Sequence, residues 1–141
     1  MSSPADLARA LLRKAADDLY VAQRLAADAQ APAWILGFHA QQAVEKALKA
    51  VLSLHRVEFP RTHNLVMLLE LLRRAAIALP PDGDELARLI PFGVIARYEA
   101  ALGAAEIDID RQWAIDVAQR TTQWAEEVVT MDRDTSPDDQ Q

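Results

Sequence analysis

The sequence contains no cysteine, and this absence removes several kinds of chemistry at once. Disulfide bonds, thiolate nucleophiles and cysteine-ligated zinc sites all require cysteine side chains, so these 141 residues form none of them. No apolar run approaches the roughly eighteen residues that are needed to span a bilayer. Residues 1–6 show no basic segment followed by an apolar one, so no signal peptide is predicted. We therefore expect a protein without membrane segments, located in the cytoplasm.

Motifs for phosphate loops, nucleophiles and metals are also missing. The four glycines are isolated from one another, and no serine lies in a nucleophile elbow. His39, His55 and His63 lack the i, i+4 pairing of a helical zinc site. Asp108 and Asp110 have the spacing of an acidic metal-binding pair, but both lie where a helix begins, and helix capping is the favoured interpretation. We predict neither a metal nor a cofactor.

The composition is that of a globular domain, and its charge is distributed unevenly. Hydrophobic residues make up 51% of the chain and charged residues 26%, with a net charge of −6. Residues 1–74 hold ten Lys and Arg against seven Asp and Glu, whereas residues 75–141 hold five against fourteen. A polyanion needs only a local positive patch, which the first half can supply. The asymmetry alone, however, favours ordinary solvated helix faces.

Apolar residues recur at spacings of three and four along the chain, which is the period of an amphipathic helix. No alternating strand pattern is convincing, so we predict an all-α protein, an up-and-down bundle of four or five helices. The bundle is expected to occupy residues 1–132, followed by a disordered polar tail at residues 133–141. The predicted helices run from Pro4 to about Ala29, from Ala33 to His55, from a Thr62 cap to about Leu79, from Glu85 to Ile90 behind an Asp84 cap, and onward from Asp108 or Asp110.

The second helix carries an unusual polar strip. At 100° per residue, His39, Gln42, Lys46 and Lys49 fall within about 80° of one another, and Glu45 lies beside them. Alanine and aliphatic residues cover the broad opposite side. The strip suits an interface or an anionic ligand, although spacing alone favours a solvated face.

Two further groups of residues are candidates for binding. Arg61 and His63 precede a helix, where unpaired backbone N–H groups attract anions, but the same segment reads equally well as an ordinary capped helix start. Arg97 and Tyr98 follow a bent segment. A tyrosine beside an arginine can line a nucleotide cleft or close the end of the bundle.

Together these motifs resemble the HEPN domain, the nucleotide-binding domain of higher eukaryotes and prokaryotes, over roughly residues 7–130. The resemblance rests on Leu-x-x-Ala-x-x-Asp-Leu at residues 12–19, Phe-His-Ala-Gln-Gln-Ala-Val-Glu-Lys-Ala-Leu-Lys-Ala at residues 38–50, Pro-Arg-Thr-His-Asn-Leu at residues 60–65, and Arg97-Tyr98.

This resemblance implies a helical bundle that usually dimerises and forms a cleft between the protomers. Many HEPN domains are metal-independent ribonucleases with an Arg followed, after four to six residues, by a His. Others pair with a minimal nucleotidyltransferase as toxin and antitoxin, and others are thought to bind nucleotides without cleaving RNA. Arg97 matches the family arginine, but residues 98–104 contain no histidine. Arg56 and His63 satisfy the spacing elsewhere in the chain, a match we interpret as coincidental.

We therefore predict a homodimeric module that binds a nucleotide or RNA phosphate and works beside a nucleotidyltransferase. A scaffold without ligand and a ribonuclease that uses His63, with Arg61 or Arg97 stabilising the phosphorane, are the alternatives. The residues predicted to line the site are His39, Gln42, Lys46, Lys49, Arg61, His63, Arg97 and Tyr98.

Overall fold

A computed structural model describes residues 3–93 and 109–135, with side chains described as far as Asp132. These residues contain no strand, which confirms the predicted all-α bundle. They form four α-helices and one 3₁₀ helix, with the order α1 (Pro4–Ala26), α2 (Ala33–Leu54), α3 (Leu65–Arg74), the 3₁₀ helix (Leu86–Phe92) and α4 (Arg111–Thr135).

Helix α1 begins as the sequence predicts and ends earlier. The Ser3 hydroxyl accepts the Asp6 N–H at 3.1 Å, and the Asp6 carboxylate accepts the Ser3 N–H at 3.2 Å, which is a complete capping box. The hydrogen bond from the Ser3 N–H is the main reason why the pKa of Asp6 lies below its ordinary value. The helix ends at Ala26 rather than near Ala29, because the chain turns at Asp28, whose carboxylate accepts the Gln30 N–H.

The predicted bounds of α3 were wrong at both ends. Asn64, not Thr62, is the N-cap, since its side-chain oxygen accepts the N–H groups of Val66 at 3.0 Å and Met67 at 3.3 Å. The helix stops at Arg74 instead of about Leu79. Two residues later Ala76 adopts a left-handed φ of 59°, which turns the chain out of the helix.

The predicted fourth helix is a 3₁₀ helix, and the Asp84 side chain does not cap it. Glu85 occupies the cap position without a side-chain hydrogen bond.

Helix α4 starts as expected, because the Asp110 carboxylate accepts the Trp113 N–H at 3.0 Å. Asp108 lies outside the described residues. Helix α4 runs through Thr135, and the predicted division between the bundle and a tail after residue 132 stays a prediction.

Helix α2 is the centre of the bundle and packs against α1, α3, the 3₁₀ helix and α4. Small side chains on α2 allow this close approach; Phe92 of the 3₁₀ helix lies so near Gly37 that a Cβ there would be 2.4 Å from its Cδ1 atom. The buried side of α2 is mostly alanine, leucine and valine. It also contains three polar residues, Gln41, Glu45 and Ser53.

Candidate functional site

The carboxylate of Glu45 is the buried centre of a polar cluster on α2. Its side chain is only 5% exposed, yet three donors satisfy it. Oε1 lies 3.0 Å from Gln41 Nε2 and 2.9 Å from His63 Nδ1, and Oε2 lies 3.1 Å from Lys49 Nζ. A buried carboxylate is costly unless it is paired in this way, so the cluster holds the α2–α3 connection against α2.

A second carboxylate, that of Asp18, reaches the same face of α2 from α1. Its Oδ1 lies 3.0 Å from His39 Nδ1, and its Oδ2 lies 2.5 Å from Lys46 Nζ. The four charged side chains Asp18, Glu45, Lys46 and Lys49 balance when the imidazoles are neutral. The two lysines of the strip are thus committed to ion pairs within the chain.

Glutamine side chains complete the polar strip between its two carboxylates. Gln42 Nε2 donates to Gln41 Oε1 at 2.7 Å, and Gln41 Nε2 donates to Glu45 and, at 3.4 Å, to the carbonyl oxygen of His63. The fully buried Gln41 side chain therefore uses both of its polar atoms. Such a network fixes the orientation of every group around it.

His39 and His63 are held in the same way, with one ring nitrogen paired inside the protein and the other free of described partners. In each, Nδ1 contacts a carboxylate, and no described residue forms a hydrogen bond to Nε2. Between the two tautomers of a neutral imidazole, a carboxylate partner at Nδ1 favours the one with its proton on Nδ1, in which Nε2 is an acceptor. The side chain of His63 is 54% exposed and that of His39 is 26% exposed, so a ligand can reach both rings.

A family model of the HEPN domain matches residues 8–133, which is most of the chain. The chain belongs to the HEPN domain family. No curated protein and no solved structure shows significant similarity to it. The family match confirms the resemblance read from the motifs.

The structure brings together five of the residues that the sequence proposed for this HEPN domain, namely His39, Gln42, Lys46, Lys49 and His63. The exposed Arg61 lies two residues before His63 in the α2–α3 connection and forms no ion pair with the described residues. Arg97 and Tyr98 lie outside the described residues. The first described segment ends at Gly93, where a Cβ would lie 3.6 Å from Gln41 Cδ.

Two members of the cluster were missed by sequence reasoning. Asp18 belongs to the Leu-x-x-Ala-x-x-Asp-Leu motif, which was used only as a family marker. Gln41 interrupts an apolar face in the middle of α2, which is the signal that could have identified it.

In the described part of this HEPN domain, the polar strip included, no group of three or more histidine or acidic side chains could hold a metal ion. Among the described helices, none has the length and hydrophobicity required to cross a bilayer.

Proposed function

We propose that this HEPN domain binds a nucleotide or an RNA phosphate at the polar strip of α2. The observation that carries the proposal is a pair of carboxylate-held histidines at the polar strip, His39 on α2 itself and His63 on the connection that returns to it. A polar network in such a position costs desolvation, and apolar side chains of similar size would serve packing as well or better. Residues of this kind are therefore candidates for function.

Each predicted residue has a role under this proposal. The exposed Arg61 would donate to phosphate oxygens, and the outward Nε2 edges of His39 and His63 would face the same ligand. Lys46 and Lys49 offset the negative charges of Asp18 and Glu45, so that the electrostatic potential of the strip does not repel an anion. Gln42 offers its side-chain amide as a hydrogen-bonding group for the ligand. Arg97 and Tyr98 keep the roles that the motif suggests, the arginine contacting phosphate and the tyrosine stacking on a base.

The partners proposed for this domain come from its family. HEPN domains often dimerise, and we propose a homodimer whose protomers form a cleft beside the strip. We also propose that the dimer works with a minimal nucleotidyltransferase as one component of a toxin–antitoxin pair. Co-expression with a candidate nucleotidyltransferase, followed by light scattering of the purified complex, tests both assignments; a monomer that binds no such enzyme would contradict them.

Two charge-matched variants test the binding proposal. Lys46→Ala/Arg97→Ala removes two positive charges from the proposed site, and Arg73→Ala/Arg74→Ala removes two from the exposed end of α3. Fluorescence anisotropy with a labelled RNA oligonucleotide should show at least a tenfold weaker Kd for the first variant only. Equal effects of the two variants would mean that binding depends on general charge and not on the strip.

The Glu45–His63 pair favours a second candidate function, a metal-independent ribonuclease. His63 Nε2 would remove the proton from a ribose 2′-hydroxyl, whose oxygen attacks the adjacent phosphorus while the 5′-oxygen leaves and takes up a proton. The products would be a 2′,3′-cyclic phosphate and a free 5′-hydroxyl. RNA cleavage in EDTA that disappears in His63→Ala would support this activity, and cleavage that persists would exclude His63 as its base.

A scaffold without ligand is the remaining alternative, in which the strip serves only an interface between protomers. A stable dimer that binds neither nucleotides nor RNA would favour it over both other functions.

A further inference from the structure

A groove of about 550 Å³ opens where the start of α1 meets the end of α2 and the connection that follows. Its volume lies within the range of about 300–1,000 Å³ that is typical of small-molecule sites. Leu7, Val57 and Phe59 form its apolar walls, and Ser53 and Arg56 contribute polar groups. None of these residues belongs to the polar strip.

Two polar side chains of this groove, those of Ser53 and Arg56, have no partners among the described residues. The Ser3 hydroxyl, which also lines the groove, is used in the cap of α1, and the exposed Glu58 adds a carboxylate at the rim. Ser53 is 8% exposed, and its hydroxyl forms no hydrogen bond to a described residue. Arg56 is exposed, forms no ion pair with a described residue and adopts a left-handed φ of 60°. A nearly buried hydroxyl and an unpaired guanidinium beside apolar walls can together bind a ligand that has flat apolar faces and a polar edge.

Phe59 joins the groove to the polar strip. Lys49 Nζ lies 5.6 Å from the centre of the Phe59 ring and 3.1 Å from Glu45 Oε2. The other oxygen of Glu45 lies 2.9 Å from the ring of His63. The groove and the strip are therefore linked through the contacts of Phe59 and Lys49.

We propose that this groove is the nucleoside subsite of the molecule and holds the base and sugar of a nucleotide whose phosphate contacts the strip. The inference deepens the proposed function and rests on it. Leu7, Val57 and Phe59 would contact the faces and edges of the heteroaromatic ring. Ser53 and Arg56 would donate hydrogen bonds to its ring nitrogens and carbonyl oxygens, as side chains that recognise exposed bases do.

Isothermal titration calorimetry with AMP, UMP and inorganic phosphate tests this assignment. At least one nucleotide should bind ten or more times tighter than inorganic phosphate. Leu7→Ser and Arg56→Asn should each weaken that nucleotide about fivefold and leave phosphate affinity unchanged. Leu7 is 48% exposed, and asparagine tolerates the left-handed backbone of residue 56, so both variants should fold.

Val66→Ser provides the matched control, because Val66 is similarly exposed at 50% but lies on α3, away from the groove. Equal affinities for nucleotides and phosphate would overturn the groove assignment and leave phosphate binding at the strip intact. Nucleotide binding that neither groove variant weakens would overturn the assignment as well. Binding of none of the three ligands would instead contradict the proposed function and the groove with it.

Discussion

Replacing Glu45 with alanine should destabilise this protein far more than replacing an exposed glutamate that also holds two cations. The substitution removes the acceptor for Gln41, His63 and Lys49 at once. It leaves the Nε2 atom of the fully buried Gln41 with only the 3.4 Å bond to the His63 carbonyl oxygen. Removing one partner from a buried ion pair costs about 3–5 kcal/mol. Such a loss is a large share of the 5–15 kcal/mol by which domains are typically stable.

Glu70 is the matched control for this prediction. It pairs with Arg73 and Arg74 on α3, but its side chain is 41% exposed, so Glu70→Ala should cost less than about 1 kcal/mol. Urea denaturation followed by circular dichroism measures both. With a slope of about 2 kcal/mol per molar urea, the midpoint should fall by roughly 2 M for Glu45→Ala and by less than about 0.5 M for Glu70→Ala. Similar midpoints for the two variants would refute the view that the Glu45 network holds the fold together.

Three further predictions concern the helices that build the site. Gly37→Ala should lower stability by about 1–2 kcal/mol, because its Cβ would overlap the Phe92 ring, and a Gly37→Ala/Phe92→Ala double variant should lose less than the sum of the single effects in urea melts. Asn64→Ala should cost about 1 kcal/mol by removing the α3 cap, and thermal unfolding that shows no change would contradict that role. The folded-state pKa of Asp6 is lowered by Ser3, so its stabilising contribution is present above the ordinary value of 3.8 and is lost as the pH falls through the folded-state pKa. The variant Asp6→Asn should therefore show a flatter loss of stability in acid titrations than the native protein, and parallel curves would contradict this assignment.

Several features of this protein could be predicted from the order of its residues. The spacing of apolar residues predicted the helical fold, because that period depends only on how side chains repeat around one helix axis. The start of α1 at Pro4 and the capping of α4 by Asp110 could also be predicted, because each depends only on residues within one helical turn. The family motifs were predictable for the same reason, as they are read along the sequence.

The tertiary structure alone decided what the polar strip is bonded to. Helical periodicity places His39, Lys46 and Glu45 around α2, but it does not say that Asp18 of α1 lies against the first two or that His63 returns to the third. These partners lie 18 to 28 residues apart in sequence, and only the packing of α1 and of the α2–α3 connection onto α2 brings them within hydrogen-bonding distance. The side of a helix on which a residue lies is a local property of the sequence. Its burial and its hydrogen-bond partners depend on which other element packs against that side.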